Sequence, residues 1–192
     1  LLKGGEATAG DRQVGSAIRR CHDARRCRVL DVESDHHGSS PQETIMKFHR
    51  VDYTQQLPAA FKGLAGASAQ VHNGVIGAEL AELLFLRVSQ INGCAYCLDM
   101  HTTALVNAGV EPRKIATVAG WRESRFFDAR ERAALDWAEA LTRLADAAPP
   151  ADALYEALAA QFDEKGIAEV TMAVAVINAW NRLGVGLQPE LA

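Results

Sequence analysis

Residues 91–105 read INGCAYCLDMHTTAL and bring two cysteines and a histidine within eight positions. On one helix, Cys94, Cys97 and His101 stand at i, i+3 and i+7, so all three share a face. Gly93 lets the chain turn just before the first helical residues. The two cysteines then fall in a first turn, where unpaired N–H groups and the helix macrodipole favour a thiolate. His101, one turn beyond Cys97, can take or return a proton. An activated thiolate, a second thiol close enough to join it and a nearby base are what a redox dithiol requires.

Other readings of the same residues stay open. Cysteine is often buried as a small hydrophobe, and a single histidine is commonly a packing residue. Cys94, Cys97 and His101 could also give three zinc ligands, but a structural zinc site closes with a fourth. Cys21 and Cys27 stand far upstream, six positions apart. A thioredoxin-like setting needs strands around the motif, whereas helical patterns precede and follow it. Glu82 lies in the helix before the motif, and packing of the two helices across Asn92-Gly93 would bring its carboxyl towards the cysteines as a proton relay. The alternative for Glu82 is a solvated surface carboxylate.

The elements that must position these groups are helical. Pro58 suits a first turn, followed by Phe61, Leu64, Ala65 and Ser68 on one side. Ile76, Leu80, Leu83, Leu84, Val88 and Ile91 keep helical spacing, and Phe85 and Leu86 make that helix apolar nearly all round, hence buried. The motif helix is expected from about Cys94 to Gly109. Pro112 opens a short helix holding Ile115, Val118 and Ala119. Asp128 and Glu131 form a capping-box pattern ahead of a stripe of Ala134, Trp137, Ala138, Leu141, Leu144 and Ala145. Pro149-Pro150 separates this from Leu154, Tyr155, Leu158, Ala159 and Phe162. The last element, Ile167 to about Leu183, alternates at Val170, Met172, Val174 and Val176 as a strand would, but its length and alanines favour a helix. The expected fold is all-α.

The 192 residues suit one domain, and a formal charge of −4 gives no electrostatic reason to expect nucleic acid or an anionic membrane. Four cysteines are too few for a secreted disulfide scaffold. Val170–Ile177, the longest apolar run, is short for a bilayer span. A protein of the cytoplasm is expected. Residues 1–45 differ from the rest: their first 44 positions hold seven basic and seven acidic side chains without sustained periodicity. They read as an N-terminal extension, disordered or not native to a domain covering residues 46–192.

The pattern Glu82, Cys94-Ala-Tyr-Cys97, His101 resembles the alkylhydroperoxidase D-like family, within the carboxymuconolactone decarboxylase superfamily. GWRESRFFDARERAALDWAEALT and VINAWNRLGV look like that family's downstream helices. The resemblance implies an all-helical subunit in a homo-oligomer, a trimer or hexamer, working as a peroxidase without a bound cofactor or metal. It implies Cys97 as the thiolate that attacks a hydroperoxide, Cys94 as the thiol that resolves the sulfenic acid into a disulfide, and Glu82 and His101 as proton carriers. A dithiol or lipoyl-bearing protein would restore the thiols. Helix-terminus physics alone favours Cys94 as the more acidic thiol; the family assignment favours Cys97. Tyr96 replaces a histidine that some members carry between the cysteines, and a phenol shuttles protons poorly near neutrality. The decarboxylase branch does not use a cysteine pair, and a redox-sensing module would share only the first chemical step. Trp121, Trp137, Trp180, Asn178, Asn181 and Arg182 are expected to serve chiefly as core or interface residues.

Overall fold

The computed structural model describes residues 47–191. The proposed extension over residues 1–45 lies outside them, as do Met46, Cys21 and Cys27. Among the described residues the chain is all-α. Its helices are α1 (Tyr53–Gln56), α2 (Pro58–His72), α3 (Ala78–Asn92), α4 (Ala95–Asn107), α5 (Pro112–Ala116), α6 (Ala129–Thr142), α7 (Asp152–Ala159) and α8 (Glu164–Leu187). A short 3-10 turn, Val118–Gly120, follows α5.

The helix ends follow local chemistry. Asp52 caps α1 by accepting from Thr54 N and Gln55 N, and Pro58 stands in the first turn of α2. Asp128 and Glu131 close both halves of a capping box on α6, as the sequence pattern predicts. Gly93 ends α3 in the left-handed region at φ 67°, which a residue with a Cβ adopts only under strain. The Ser89 carbonyl accepts from the N–H of both Gly93 and Cys94, fixing this turn.

The core is built around α3, which packs on α4, α6 and α8. Leu80, Ala81, Leu83, Leu84, Phe85, Leu86 and Val88 are all buried, so α3 hides most of its circumference. Truncating Leu83 or Leu84 to alanine would cost about 2–5 kcal/mol. Opposite it, Val170, Ala173, Val174 and Ile177 of α8 are buried at helical spacing, while Met172 is exposed. The alternation in this segment was therefore not a strand signal. By length and composition α8 is long and apolar enough to cross a membrane, and part of its surface is buried within the bundle.

Polar contacts lock α3 to α8 close to the Cys94 turn. Asn92 Nδ2 donates to Asn178 Oδ1 at 3.0 Å and Asn181 Oδ1 at 2.8 Å, and Asn181 Nδ2 donates to Ser89 Oγ at 2.9 Å. These bonds hold the asparagines in the packing role expected of them, and Trp137 donates to Thr171 between α6 and α8. Several boundaries differ from expectation, Val118 and Ala119 falling beyond α5 in the 3-10 turn and α8 running from Glu164 to Leu187. Ile76 precedes α3, where its N–H donates to the buried Glu169 carboxylate. Leu144 and Ala145 lie past the end of α6, and Leu144 is exposed. Phe162 follows α7 but is buried. Beyond α8, Pro189 pairs with Phe48 in an isolated antiparallel bridge, bringing the two ends of the described chain together.

Candidate active site

Cys94 is the N-cap of α4 in extended conformation, and Cys97 is the third residue of the helix. That register separates their Cα atoms by 5.3 Å, within the span a disulfide tolerates, and the two sulfurs are bonded. Cys94 Sγ also accepts from Cys97 N at 3.3 Å, satisfying one of the orphan donors of the helix start. Both residues are buried. Helix α8 passes close to them at Gly184: a Cβ built on this glycine would stand 2.6 Å from Cys94 Sγ and 3.5 Å from Cys97 Sγ. No larger residue fits there without movement.

His101 stands one turn along α4 from Cys97 and is buried, its ring centroid 5.1 Å from that of Phe85. Its Nδ1 lies 2.8 Å from Glu82 Oε2. A carboxylate only accepts, so the proton belongs on Nδ1 and Nε2 presents its lone pair. Among the described residues Nε2 has no hydrogen-bond partner. The α3–α4 packing thus brings Glu82 to the imidazole and not to a sulfur. The second Glu82 oxygen, Oε1, lies 3.5 Å from Nε2 of His72 at the end of α2.

These groups open onto a cavity of about 370 Å³. Glu82, Cys97 and His101 line it, whereas Cys94 does not. The remaining wall is largely apolar: Tyr53, Phe61, Phe85, Met100, Ile177 and Trp180. Phe61 meets Trp180 edge-on at 5.8 Å between centroids, and Tyr53 lies 6.0 Å from Phe61. Trp180 Nε1 donates to Ser68 Oγ at 2.7 Å, which sets the indole plane. Tyr96 also lines the cavity. Burial, with Asp99 adding repulsion, pushes its phenol above the usual tyrosine range, so it remains an O–H donor across neutral pH.

All four residues singled out from sequence therefore come together, with Cys94 one bond behind the cavity surface. His72 and the aromatic wall were not foreseen. Trp180 serves packing and cavity at once, where a chiefly structural role was expected. His72 carried no signal, because nothing in its spacing ties α2 to the motif.

A family model for the carboxymuconolactone decarboxylase family matches residues 55–140. The chain is 31% identical over 138 residues to the uncharacterized protein YdfG of Bacillus subtilis (strain 168), covering 72% of this chain and 93% of that protein. A solved structure from Agrobacterium tumefaciens, of unknown function and proposed to be an antioxidant defence protein AhpD, matches with TM-score 0.70 and 35% identity. It covers 74% of this chain and 97% of that one. An uncharacterized peroxidase-related protein from Silicibacter sp. TM1040 shares the fold with TM-score 0.61 at 21% identity, over 72% of this chain and 81% of its own. The chain belongs to the AhpD-like proteins of the carboxymuconolactone decarboxylase superfamily.

Proposed function

We propose that this protein is a thiol-dependent peroxidase that reduces organic hydroperoxides through Cys97 and Cys94. The observation that carries this reading is the bonded Cys94–Cys97 pair, with Cys97 and a His101 held by Glu82 lining the same cavity. His101 Nε2 takes the Cys97 thiol proton, and the thiolate attacks the terminal oxygen of ROOH. The O–O bond breaks, Cys97 becomes a sulfenic acid, and the alkoxide leaves as ROH with the proton from His101. Cys94 sulfur then attacks Cys97 sulfur; its proton joins the departing hydroxide as water, and a disulfide forms. An external dithiol, of lipoyl or protein type, returns two electrons and two protons by exchange.

The apolar wall favours a hydroperoxide with an alkyl or aryl body over hydrogen peroxide, since burying such a body contributes roughly 25 cal/mol per Å². The family resemblance suggests a homo-oligomer, and a reducing compartment such as the cytoplasm would keep the dithiol charged. A decarboxylase reading has no use for the cysteine pair.

Thiol titration in a single turnover tests this reading, with hydrogen peroxide, cumene hydroperoxide and a lipid hydroperoxide. Cys94→Ser should trap a sulfenic acid on Cys97, and Cys97→Ser should be inert; the reverse would exchange their roles. Rapid oxidation that never turns over with any dithiol would mark a sensor, and failure of every hydroperoxide to outpace its reaction with a free thiol would end the proposal.

A further inference from the structure

The Glu82 carboxylate addresses two imidazoles, one with each oxygen. Oε2 lies 2.8 Å from His101 Nδ1 and Oε1 lies 3.5 Å from His72 Nε2. Side-chain exposure falls along the row, from 44% at His72 to 12% at Glu82 and 7% at His101. A partly exposed imidazole thus stands within ion-pair range of a carboxylate that is hydrogen-bonded to a buried imidazole, and the buried one stands a helical turn from Cys97.

We infer that His72 is the outer end of a proton path that links solvent to the cysteine pair through Glu82 and His101. This inference rests on the redox reading of the site. The need for a path follows from the burial of the sulfurs, because each thiol must release its proton before its sulfur can form a new bond. Those protons are needed again at other moments of the cycle, on the leaving alkoxide, on hydroxide and on the thiols after reduction. His101 Nε2 can hold only one. The Glu82 carboxylate takes the Nδ1 proton of a protonated His101 at Oε2, becomes a carboxylic acid, and returns to the carboxylate by handing that proton to His72 after the carboxyl group turns over. Tyr96 faces the same cavity, but its phenol, pushed above the usual tyrosine range by burial and Asp99, supplies no base near neutrality. His72 also lines the cavity; in the proposed path it acts through Glu82 and His101 and is a positioning residue for protons.

The test uses the full chain with Cys21→Ser and Cys27→Ser, so that only the motif thiols react. Stopped-flow oxidation of the reduced protein by 4,4′-dithiodipyridine reads dithiol closure and needs no peroxidase activity. His72→Ala should slow closure by about tenfold, a share of the usual gain from a positioned acid–base group. Free imidazole should restore the rate of His72→Ala in a saturable way while leaving the parent and the bulkier His72→Gln unchanged. Circular dichroism should show the same helix content in all three. A His72→Ala rate equal to the parent's, or a slow rate that imidazole does not raise, overturns the path. Hydroperoxide turnover of the parent is scored separately: a parent that closes its dithiol normally but turns over no hydroperoxide removes the peroxidase reading and leaves the His72 result standing.

Discussion

Glu82 and His101 meet at 2.8 Å on the buried face between α3 and α4, a carboxylate oxygen against Nδ1. The bond fixes which imidazole nitrogen carries the proton and, by holding the ring, where the other nitrogen points. Glu82→Gln keeps the size of the group and removes its charge. Hydroperoxide turnover should fall about 10²-fold, the lower end of what a positioned acid–base pair supplies. Thermal denaturation should show the fold little changed. Steady-state kinetics with an excess of dithiol reductant read the effect directly, and a variant as fast as the parent would leave Glu82 as a packing residue.

How much of this was legible in the chain depends on distance along it. Cys94, Cys97 and His101 were readable together because a single helix ties their spacing to a face. Glu82 was readable because α3 and α4 are joined by one tight turn, so their packing could be foreseen. His72 and Trp180 were not, because each reaches the cavity from a helix whose placement only the whole bundle decides. The periodicity of α6 ran on through Leu144 although the helix stops at Thr142, since apolar spacing marks a face and not an end. In α8 the alternating valines mimic a strand, but the length and alanines of the segment favour the helix that is found.

Gly184 is the point at which α8 bears on the disulfide, and it cannot be enlarged freely. In Gly184→Ala the new methyl would stand 2.6 Å from Cys94 Sγ. The sulfur cannot swing away while bonded to Cys97, so α8 must shift. Overpacking of this kind costs about 1–3 kcal/mol. The loss should be larger for the disulfide form than for the dithiol form, in which the Cys94 thiol is free to change rotamer. Denaturation with and without a phosphine reductant measures both. An equal loss in the two forms would show that the contact with Cys94 is not what limits the site.

Glu139 of α6 supplies the fold's clearest pH dependence. Its carboxylate accepts from Arg87 Nε at 2.6 Å, Arg122 Nη1 at 2.6 Å and Trp121 Nε1 at 2.9 Å. Burial by itself would raise its pKa, but the bonds from Arg122, Trp121 and Arg87 outweigh burial and hold it below the ordinary value of 4.5. A group depressed in the folded state binds its proton more readily in the unfolded chain. Its stabilisation is therefore complete above the ordinary value and is lost as pH falls below it, through the folded value. Glu139→Gln should cost about 2–4 kcal/mol at pH 7, where two guanidinium groups lose their shared anion. The gap between parent and variant should narrow as pH drops from about 5 to 3, the range in which an ordinary glutamate takes up its proton. Urea denaturation across that range tests the point: a gap that stays constant with pH would mean that Glu139 stabilises α6 by shape and packing, with its charge contributing nothing.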